Sequence, residues 1–275
     1  MSKNVKAIVI TGYGTNCENE MAHACKLGGV DVVDIVHMSE LIHGEYNLDD
    51  YHFLNLPGGF LDGDDLGAGQ AGAHRIRHAV IKTTGEKLLD QITRFITDGK
   101  LILGVCNGFQ LMIKTGLLPG FDNNYQDRIA SITYNDSSRF EDRWVWLAAD
   151  PDSPCVFTKG AETLYFPVRH GEGKFITKDE SVMQKINDRR QISLRYCLPD
   201  TGEPTMEYPY NPNGSPEGIA GICDPTGRLF GLMPHPEAFL HRTNHPRWSR
   251  EELPEEGQGV ILFRNAADYI RQNLL

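Results

Sequence analysis

The chain has 275 residues, of which 40% are hydrophobic and 23% are charged, as in a soluble globular protein with room for a sizeable core. Its net charge of −10 argues against nonspecific binding to nucleic acid or to an anionic membrane. Without a long apolar run, neither a leader nor a membrane span is expected. The six cysteines form no C-x-x-C pair, which argues against zinc or a redox dithiol and favours free thiols in the cytoplasm.

The first hundred residues alternate between predicted strands and helices. Because a strand, a helix and a strand in succession build a parallel sheet, the pattern predicts an α/β fold with a doubly wound, mostly parallel sheet and helices on both faces. A dinucleotide site at Gly12 and Gly14 is not expected, because no third glycine follows at the required spacing. The predicted strands are Lys6–Thr11, 30–36 and Phe53–Leu56, and the predicted helices are Glu18–Leu27 and Leu88–Thr97.

A glycine turn follows the third predicted strand, in the sequence Pro57-Gly58-Gly59-Phe60. Glycines at the carboxyl end of a strand let backbone amides approach a ligand closely and stabilise a developing oxyanion. Taken alone, the same tripeptide is more often an ordinary turn. The acidic residues that come next, Asp62, Asp64 and Asp65, lack the spacing of a calcium loop, so we interpret them as a solvated loop.

The segment 101–110, LILGVCNGFQ, reads as a strand, a tight turn and a helix with Cys106 at the turn. This is the arrangement of a nucleophile elbow, in which glycines flank the nucleophile because side chains would crowd the bend. A cysteine at a helix N-terminus is favoured as the thiolate. The alternative is a buried structural cysteine, which is common for free thiols.

Residues 120–210 change the pattern to one rich in strands, and we interpret them as an elaboration of one domain that covers residues 1–275. Strands are predicted at 129–134, 143–147 and 164–168, and a turn that carries His170 and Glu172 follows. Further on, a hairpin is predicted from 219–223 and 228–233, and a covering helix from 260–274.

The last predicted strand runs into Pro234-His235-Pro236-Glu237. Because proline favours extended backbone before it, His235 and Glu237 are expected to face the same side. A histidine held by a carboxylate is the general base that activates a nucleophile. Without Cys106 upstream, an exposed histidine in a proline-rich surface turn would be the better interpretation.

Together these segments resemble the class I glutamine amidotransferases, which use a Cys-His-Glu triad, and within them the glutaminases of phosphoribosylformylglycinamidine synthase. The asparagine that follows Cys106 is the most specific detail, and the resemblance extends over almost the whole chain. It implies the flavodoxin-like fold of that class. Further matching segments are 14–18, 57–60, 139–144, 170–173, 211–215, 219–222 and 234–237.

The chain also departs from the family pattern. Leu61-Asp62-Gly63-Asp64 stands where the family usually has Ser-Tyr-Gly-Asp, and Ala238 stands where arginine often follows the motif. Extra sequence lies between 120 and 170 and near 200–210. These departures bear on partner docking more than on chemistry.

The resemblance implies that Cys106 attacks L-glutamine to form a thioester, with His235 as acid and base and Glu237 as its orienting carboxylate. It implies an oxyanion hole from the backbone amides of Gly59 and Asn107. The remaining substrate-binding candidates are Gly58, Gln110 and His170; the alternative for His170 is a satisfied turn histidine. No metal ligand set is predicted.

The resemblance further implies a synthetase partner that uses the released ammonia and ATP to convert formylglycinamide ribonucleotide to formylglycinamidine ribonucleotide in purine biosynthesis. No phosphate-binding Gly-x-x-x-x-Gly-Lys occurs, so no cofactor is expected in this chain, and ATP and Mg²⁺ are expected on the partner. A further small subunit is left open. The alternatives are an amidotransferase or cysteine hydrolase of another pathway, or a catalytically silent subunit.

Overall fold

The computed structural model describes residues 4–275. Residues 1–3, which contributed to the expectation that the chain lacks a leader, lie outside the described residues. The strands are β1 (Lys6–Thr11), β2 (Val32–His37), β3 (Phe53–Leu56), β4 (Leu101–Val105), β5 (Ala130–Tyr134), β6 (Glu141–Ala149), β7 (Thr163–His170), β8 (Glu172–Thr177), β9 (Ile192–Tyr196), β10 (Ile219–Cys223) and β11 (Leu229–Leu232). The helices are α1 (Glu18–Leu27), α2 (Met38–His43), α3 (Gln70–His78), α4 (Leu88–Thr97), α5 (Asn107–Thr115), α6 (Glu180–Asp188) and α7 (Val260–Asn273).

Nine of these strands form one sheet in the order β2-β1-β3-β4-β11-β10-β9-β6-β7. The part from β2 to β11 is parallel, and the rest is joined by antiparallel pairs. Helix α1 packs on α7, and α3 packs on α4 and α5, so helices cover both faces. The predicted doubly wound α/β fold with a β-rich addition is confirmed, whereas the single domain over 1–275 stays a prediction.

The core of the parallel part is made by strands that are buried on both faces. Every residue of β3 and β4 is buried, as expected for strands covered by helices on each side. In the same part, α4 buries Leu89, Ile92 and Phe95 in the core at the spacing of one helical face. Burial of this stripe is what holds the helix in the core.

The register of three neighbouring strands positions the candidate site. Leu56 of β3 pairs with Gly104 of β4, and Val105 pairs with Leu232 of β11. All three strands are parallel, so the residues that follow them emerge at one edge. That edge therefore collects the glycine turn, Cys106 and the segment with His235.

The β6–β7 hairpin reaches over the same edge. Only Leu147–Ala149 of β6 pair with β9, whereas β6 pairs with β7 from Glu141 to Ala148. The far end of the hairpin is thus free of the main sheet and carries the end of β7 to the site. A separate pair, β5 and β8, follows beside it.

Several sequence predictions were wrong or incomplete. Residues 169–174 were predicted as a turn, but β7 continues to His170 and β8 begins at Glu172. The strand β9 and the helices α2, α3 and α6 were not predicted. Among residues 4–275, no helix is long and apolar enough to cross a membrane.

Candidate active site

Cys106 occupies a strained turn between β4 and α5. Its φ is 51° and its ψ is −105°, a conformation that is costly for a residue with a side chain. Its backbone N–H donates to the Leu232 carbonyl at 2.8 Å, which ties the turn to β11. A Cβ at Gly108 would lie 1.8 Å from the Leu56 carbonyl oxygen. The strand–turn–helix context that an elbow requires is therefore present.

His235 and Glu237 meet directly beneath this turn. The imidazole Nδ1 lies 2.5 Å from Glu237 Oε1, and both side chains are at most 3% exposed. The His235 N–H donates to the Pro167 carbonyl at 2.8 Å, so β7 anchors the segment. The extended backbone that we predicted is only partly correct, because Pro236–Ala238 form a 3₁₀ turn. Proline fits the first position of such a turn, and the two side chains still meet.

The surroundings of His235 favour its charged form. Burial alone would lower the pKa of the imidazole, but Glu237, Cys106 and Cys17 together outweigh burial and hold that pKa well above its usual range. Within residues 4–275, the buried Nε2 atom has no hydrogen-bond partner. A histidine in this state is ready to give a proton to a group placed at Nε2.

The glycine turn lies against the His235 ring. A Cβ at Gly58 would lie 2.7 Å from His235 Cε1, and one at Gly59, where φ is +141°, would lie 2.7 Å from the Gly14 carbonyl oxygen. Side chains are thus excluded at both positions. The backbone N–H groups of Gly59 and Asn107 have no acceptor in the described part of the chain. Two free donors at a helix start and an adjacent turn are the requirement for binding an oxyanion.

The Asn107 side chain holds the neighbouring loop in place. Its Oδ1 accepts from the Leu61 N–H at 3.1 Å, and its Nδ2 lies 3.1 Å from Asp64 Oδ1 and 2.9 Å from Gln110 Oε1. The Gln110 Nε2 donates to the Glu172 carbonyl at 2.6 Å. Both ends of the Gln110 amide are therefore engaged within the protein, and its contact with glutamine stays a prediction.

We call residues 61–69 the cover segment, because they cross from β3 toward β8 over the start of α5. The Ala68 N–H donates to Glu172 Oε1, and Lys114 lies 3.6 Å from the other oxygen of that carboxylate. Burial, and then the nearby Glu172 charge, raise the pKa of Asp64 to about 6. The solvated loop predicted here is wrong for Asp64, which is half-buried against Asn107.

His170 is fully buried at the end of β7. Its Nδ1 lies 3.0 Å from Asn135 Oδ1, while the Asn135 amide donates to the His170 carbonyl. Burial, together with the nearby His235, lowers the pKa of His170 to about 3, so the ring is neutral. One residue earlier, the Arg169 carbonyl accepts from the Cys106 thiol at 3.6 Å. The end of β7 thus borders the site, and a contact of His170 with substrate stays a prediction.

Cys17 is a further residue at the site, and the sequence did not single it out as a site residue. Its Sγ, a ring nitrogen of His235 and a carboxylate oxygen of Glu237 lie within 4.8 Å of one another. Cys17 precedes α1, more than two hundred residues before His235 in the chain. Only its place in the family-like segment 14–18 could have drawn attention to it.

Comparison with known proteins agrees with this geometry. Residues 4–270 match the model of the CobB/CobQ-like glutamine amidotransferase domain, so the chain belongs to the glutamine amidotransferase family. It is 44% identical to the phosphoribosylformylglycinamidine synthase subunit PurQ of Dehalococcoides mccartyi, over 99% of this chain and 100% of that one. The PurQ subunit of Methanococcus maripaludis is 41% identical, over 97% and 98%.

A solved structure gives the same result at the level of the fold. The chain matches a chain of PurLQS from Thermotoga maritima with a TM-score of 0.68 and 27% identity, over 97% of this chain and 99% of that one. The sequence resemblance is thereby confirmed: this is a PurQ-like class I glutamine amidotransferase.

Proposed function

We propose that the chain is the glutaminase subunit of a phosphoribosylformylglycinamidine synthase and that it hydrolyses L-glutamine to glutamate and ammonia. The observation that carries the proposal is the elbow cysteine Cys106 beside a buried His235–Glu237 pair at 2.5 Å. Such a nucleophile, base and orienting carboxylate form an acyl-transfer site. Membership of the glutamine amidotransferase family directs that chemistry to the glutamine side-chain amide.

In the proposed reaction, the Cys106 sulfur attacks the amide carbon of glutamine and a tetrahedral intermediate forms. His235 donates its Nε2 proton to the leaving nitrogen, and ammonia departs as the thioester forms. Water then attacks the thioester while His235 accepts its proton, which releases glutamate and restores the thiol. Glu237 holds the Nδ1 side of the ring and stabilises its charged form throughout.

The N–H groups of Gly59 and Asn107 are our candidates for the oxyanion hole, since both are free donors beside Cys106. One such donor typically contributes about 3 kcal/mol to transition-state stabilisation. Gly58 leaves room for the His235 ring, and Gln110 and His170 are the remaining candidates for contact with glutamine. Asn107 depends on Asp64 and the cover segment for its orientation.

We further propose that the ammonia passes to a synthetase subunit that amidates formylglycinamide ribonucleotide with ATP. The named relatives are subunits of that synthase, and the matched solved structure is of PurLQS; both support this proposal. ATP and Mg²⁺ belong on the partner in this scheme, and a further small subunit stays an open alternative. We propose a cytoplasmic location, which the free thiols support.

The test is ammonia release from glutamine by the full chain, measured with and without the synthetase subunit. We expect Cys106→Ala to lower turnover at least about 10³-fold and the synthetase to raise the turnover of the unsubstituted chain. Cys25→Ala is the matched control, because Cys25 is a buried free thiol within α1. Equal turnover in the Cys106→Ala variant, or no turnover under either condition, would contradict the proposal.

A further inference from the structure

Two of the free cysteines meet at the end of the strands opposite to Cys106. Cys223 ends β10, which runs antiparallel to β11, whereas Cys106 follows β4, which runs parallel to β11. Cys155 lies in the connection between β6 and β7, and the Cys155 and Cys223 thiols form a hydrogen bond with each other. The sequence argued against a redox dithiol because it has no C-x-x-C pair, but the fold brings two distant thiols into direct contact.

Hydroxyl groups surround this pair of thiols. Ser153 Oγ lies 3.7 Å from Cys223 Sγ, and it accepts from the Cys155 backbone N–H at 3.4 Å. The same oxygen lies 3.1 Å from Ser193 Oγ. The Cys155 sulfur is also hydrogen-bonded to the Ser193 side chain and to Thr158, through both its side chain and its backbone. Because donors that converge on a sulfur stabilise its thiolate, these contacts prepare Cys155 for nucleophilic attack.

The two thiols are not equivalent. Burial alone would raise the pKa of Cys155, but the hydrogen bonds to its sulfur outweigh burial and lower that pKa below its usual value. Burial, and then the neighbouring Cys155, raise the pKa of Cys223 well above its usual value. Cys155 is therefore the more acidic thiol, and Cys223 is a protonated partner beside it. Redox-sensing cysteines have this arrangement, in which an acidic thiol contacts a resolving thiol.

A cavity gives a small oxidant access to Cys155. The cavity has a volume of about 770 Å³, and Ser153, Cys155, Lys159 and Asn265 are among the residues that line it. Cys155 is 3% exposed, whereas Cys223 is fully buried. A molecule as small as hydrogen peroxide can therefore reach the Cys155 sulfur from the cavity, and it reaches Cys223 only through the reaction at Cys155.

We propose that Cys155 and Cys223 form a disulfide reversibly when hydrogen peroxide oxidises the chain. The Cys155 sulfur attacks one peroxide oxygen, the O–O bond breaks, and the departing hydroxide takes up a proton, which leaves a sulfenic acid and water. The Cys223 sulfur then attacks the sulfenic sulfur, the S–O bond breaks, and a second water departs. Two thiols thus lose two protons and two electrons to one peroxide. The proposal does not rest on the glutaminase function, because Cys106 takes no part in it.

The first measurement is a peptide map, by mass spectrometry, of the full unsubstituted chain after treatment with hydrogen peroxide. We expect the predominant disulfide to join the peptides that contain Cys155 and Cys223, and we expect dithiothreitol to remove it. No substitution is needed, so the result does not depend on the folding of a variant. A different predominant disulfide, such as one between Cys17 and Cys106, or the absence of any disulfide would overturn the proposal.

The second measurement assigns the two roles. Because Cys223→Ser lacks the resolving thiol, the sulfenic acid at Cys155 should accumulate in that variant, and dimedone should trap at least about tenfold more of it than in the unsubstituted chain. In Cys155→Ser, dimedone should not label Cys223. Cys197→Ser is the matched control, because burial alone raises the pKa of that thiol to about 11, and it should form the disulfide as the unsubstituted chain does. Labelling of Cys223 in Cys155→Ser, with no labelling of Cys155 in Cys223→Ser, would overturn the proposal.

Discussion

The two parts of the nine-stranded sheet supply the site by different means. In the parallel part, ten consecutive residues place Cys106: a buried strand, a bend that requires glycines, and a helix start. In the antiparallel part, the end of β7 reaches the site only because the β6–β7 hairpin leaves the main sheet. The nucleophile is therefore fixed by local sequence, whereas its surroundings depend on contacts between residues far apart in the chain.

Strand β11 joins the two parts of the sheet, and the His235–Glu237 pair follows it in the chain. A substitution in this pair carries the largest expected loss of glutamine turnover. We predict that Glu237→Gln lowers glutamine turnover by about 10²–10⁴-fold, because glutamine keeps the shape but does not stabilise a charged imidazole. The loss should lie in kcat, with KM little changed. The matched control is Glu256→Gln, an exposed carboxylate paired with Arg264, which should retain full turnover. A decrease of less than tenfold in Glu237→Gln would show that His235 acts without its carboxylate.

The same substitution should change how stability depends on pH. The pKa of His235 is raised in the folded chain, so its contribution to stability is fully present below the unfolded pKa of about 6.5 and is lost as pH rises through the folded pKa. Glutamine at position 237 removes the main cause of that increase. The difference in unfolding free energy between the two chains should therefore be larger at pH 6 than at pH 9, as denaturant titrations at the two pH values would measure.

The parallel part can be tested at the elbow itself. We predict that Gly108→Ala lowers the free energy of unfolding by about 3 kcal/mol, because the added Cβ would meet the Leu56 carbonyl of the central strand β3 at 1.8 Å. Gly72→Ala, in α3, is the control: its Cβ would meet only the side chains of Leu61 and Leu111, which can move. Denaturant titration measures the free energy of unfolding of both variants. An equal decrease for the two substitutions would mean that backbone packing does not constrain the elbow.

This difference between the parts also decides what the sequence could predict. In the parallel part, β1, α1, β3 and α4 have the predicted bounds, because apolar runs and terminal glycines are local signals. In the antiparallel part, β9 was missed and residues 169–174 were taken for a turn. The glycines among residues 169–174 suggested a bend, but pairing with β5 and β6 holds these residues extended.

Two other omissions have distinct causes. The residue before helix α3 is Gly69, which offers no capping side chain, so no signal marked the start of the helix. Helix α6 did carry a start signal, because the Asp179 side chain caps the Val182 N–H. That capping residue could have predicted the start of α6. The approach of Cys17 to His235 is different again: it follows from how α1 packs at the strand ends, which no local pattern encodes.

The smallest expected effect concerns Asp64, which lies in the cover segment and contacts the Asn107 side chain. Its pKa is raised to about 6 by burial and by Glu172, so between about pH 4 and 6 the folded chain binds more protons than the unfolded chain, and stability falls as pH rises. We predict that Asp64→Asn removes this decrease. Because Asp64 is only half-buried, solvent screening reduces the expected gain to about 1 kcal/mol relative to the unsubstituted chain between pH 4 and 7. Unfolding free energies measured across that range provide the test.

The control for this prediction is Asp65→Asn, which changes an exposed carboxylate of the same segment and should leave the pH profile unaltered. Asparagine at position 64 can still accept from Asn107 Nδ2 through its own oxygen, so glutamine turnover should be largely kept. Asp64→Ala removes that acceptor and should reduce turnover, because Asn107 carries one of the two proposed oxyanion donors. If Asp64→Ala retained full turnover, the turn between β4 and α5 would hold Asn107 in place without the acceptor that Asp64 supplies.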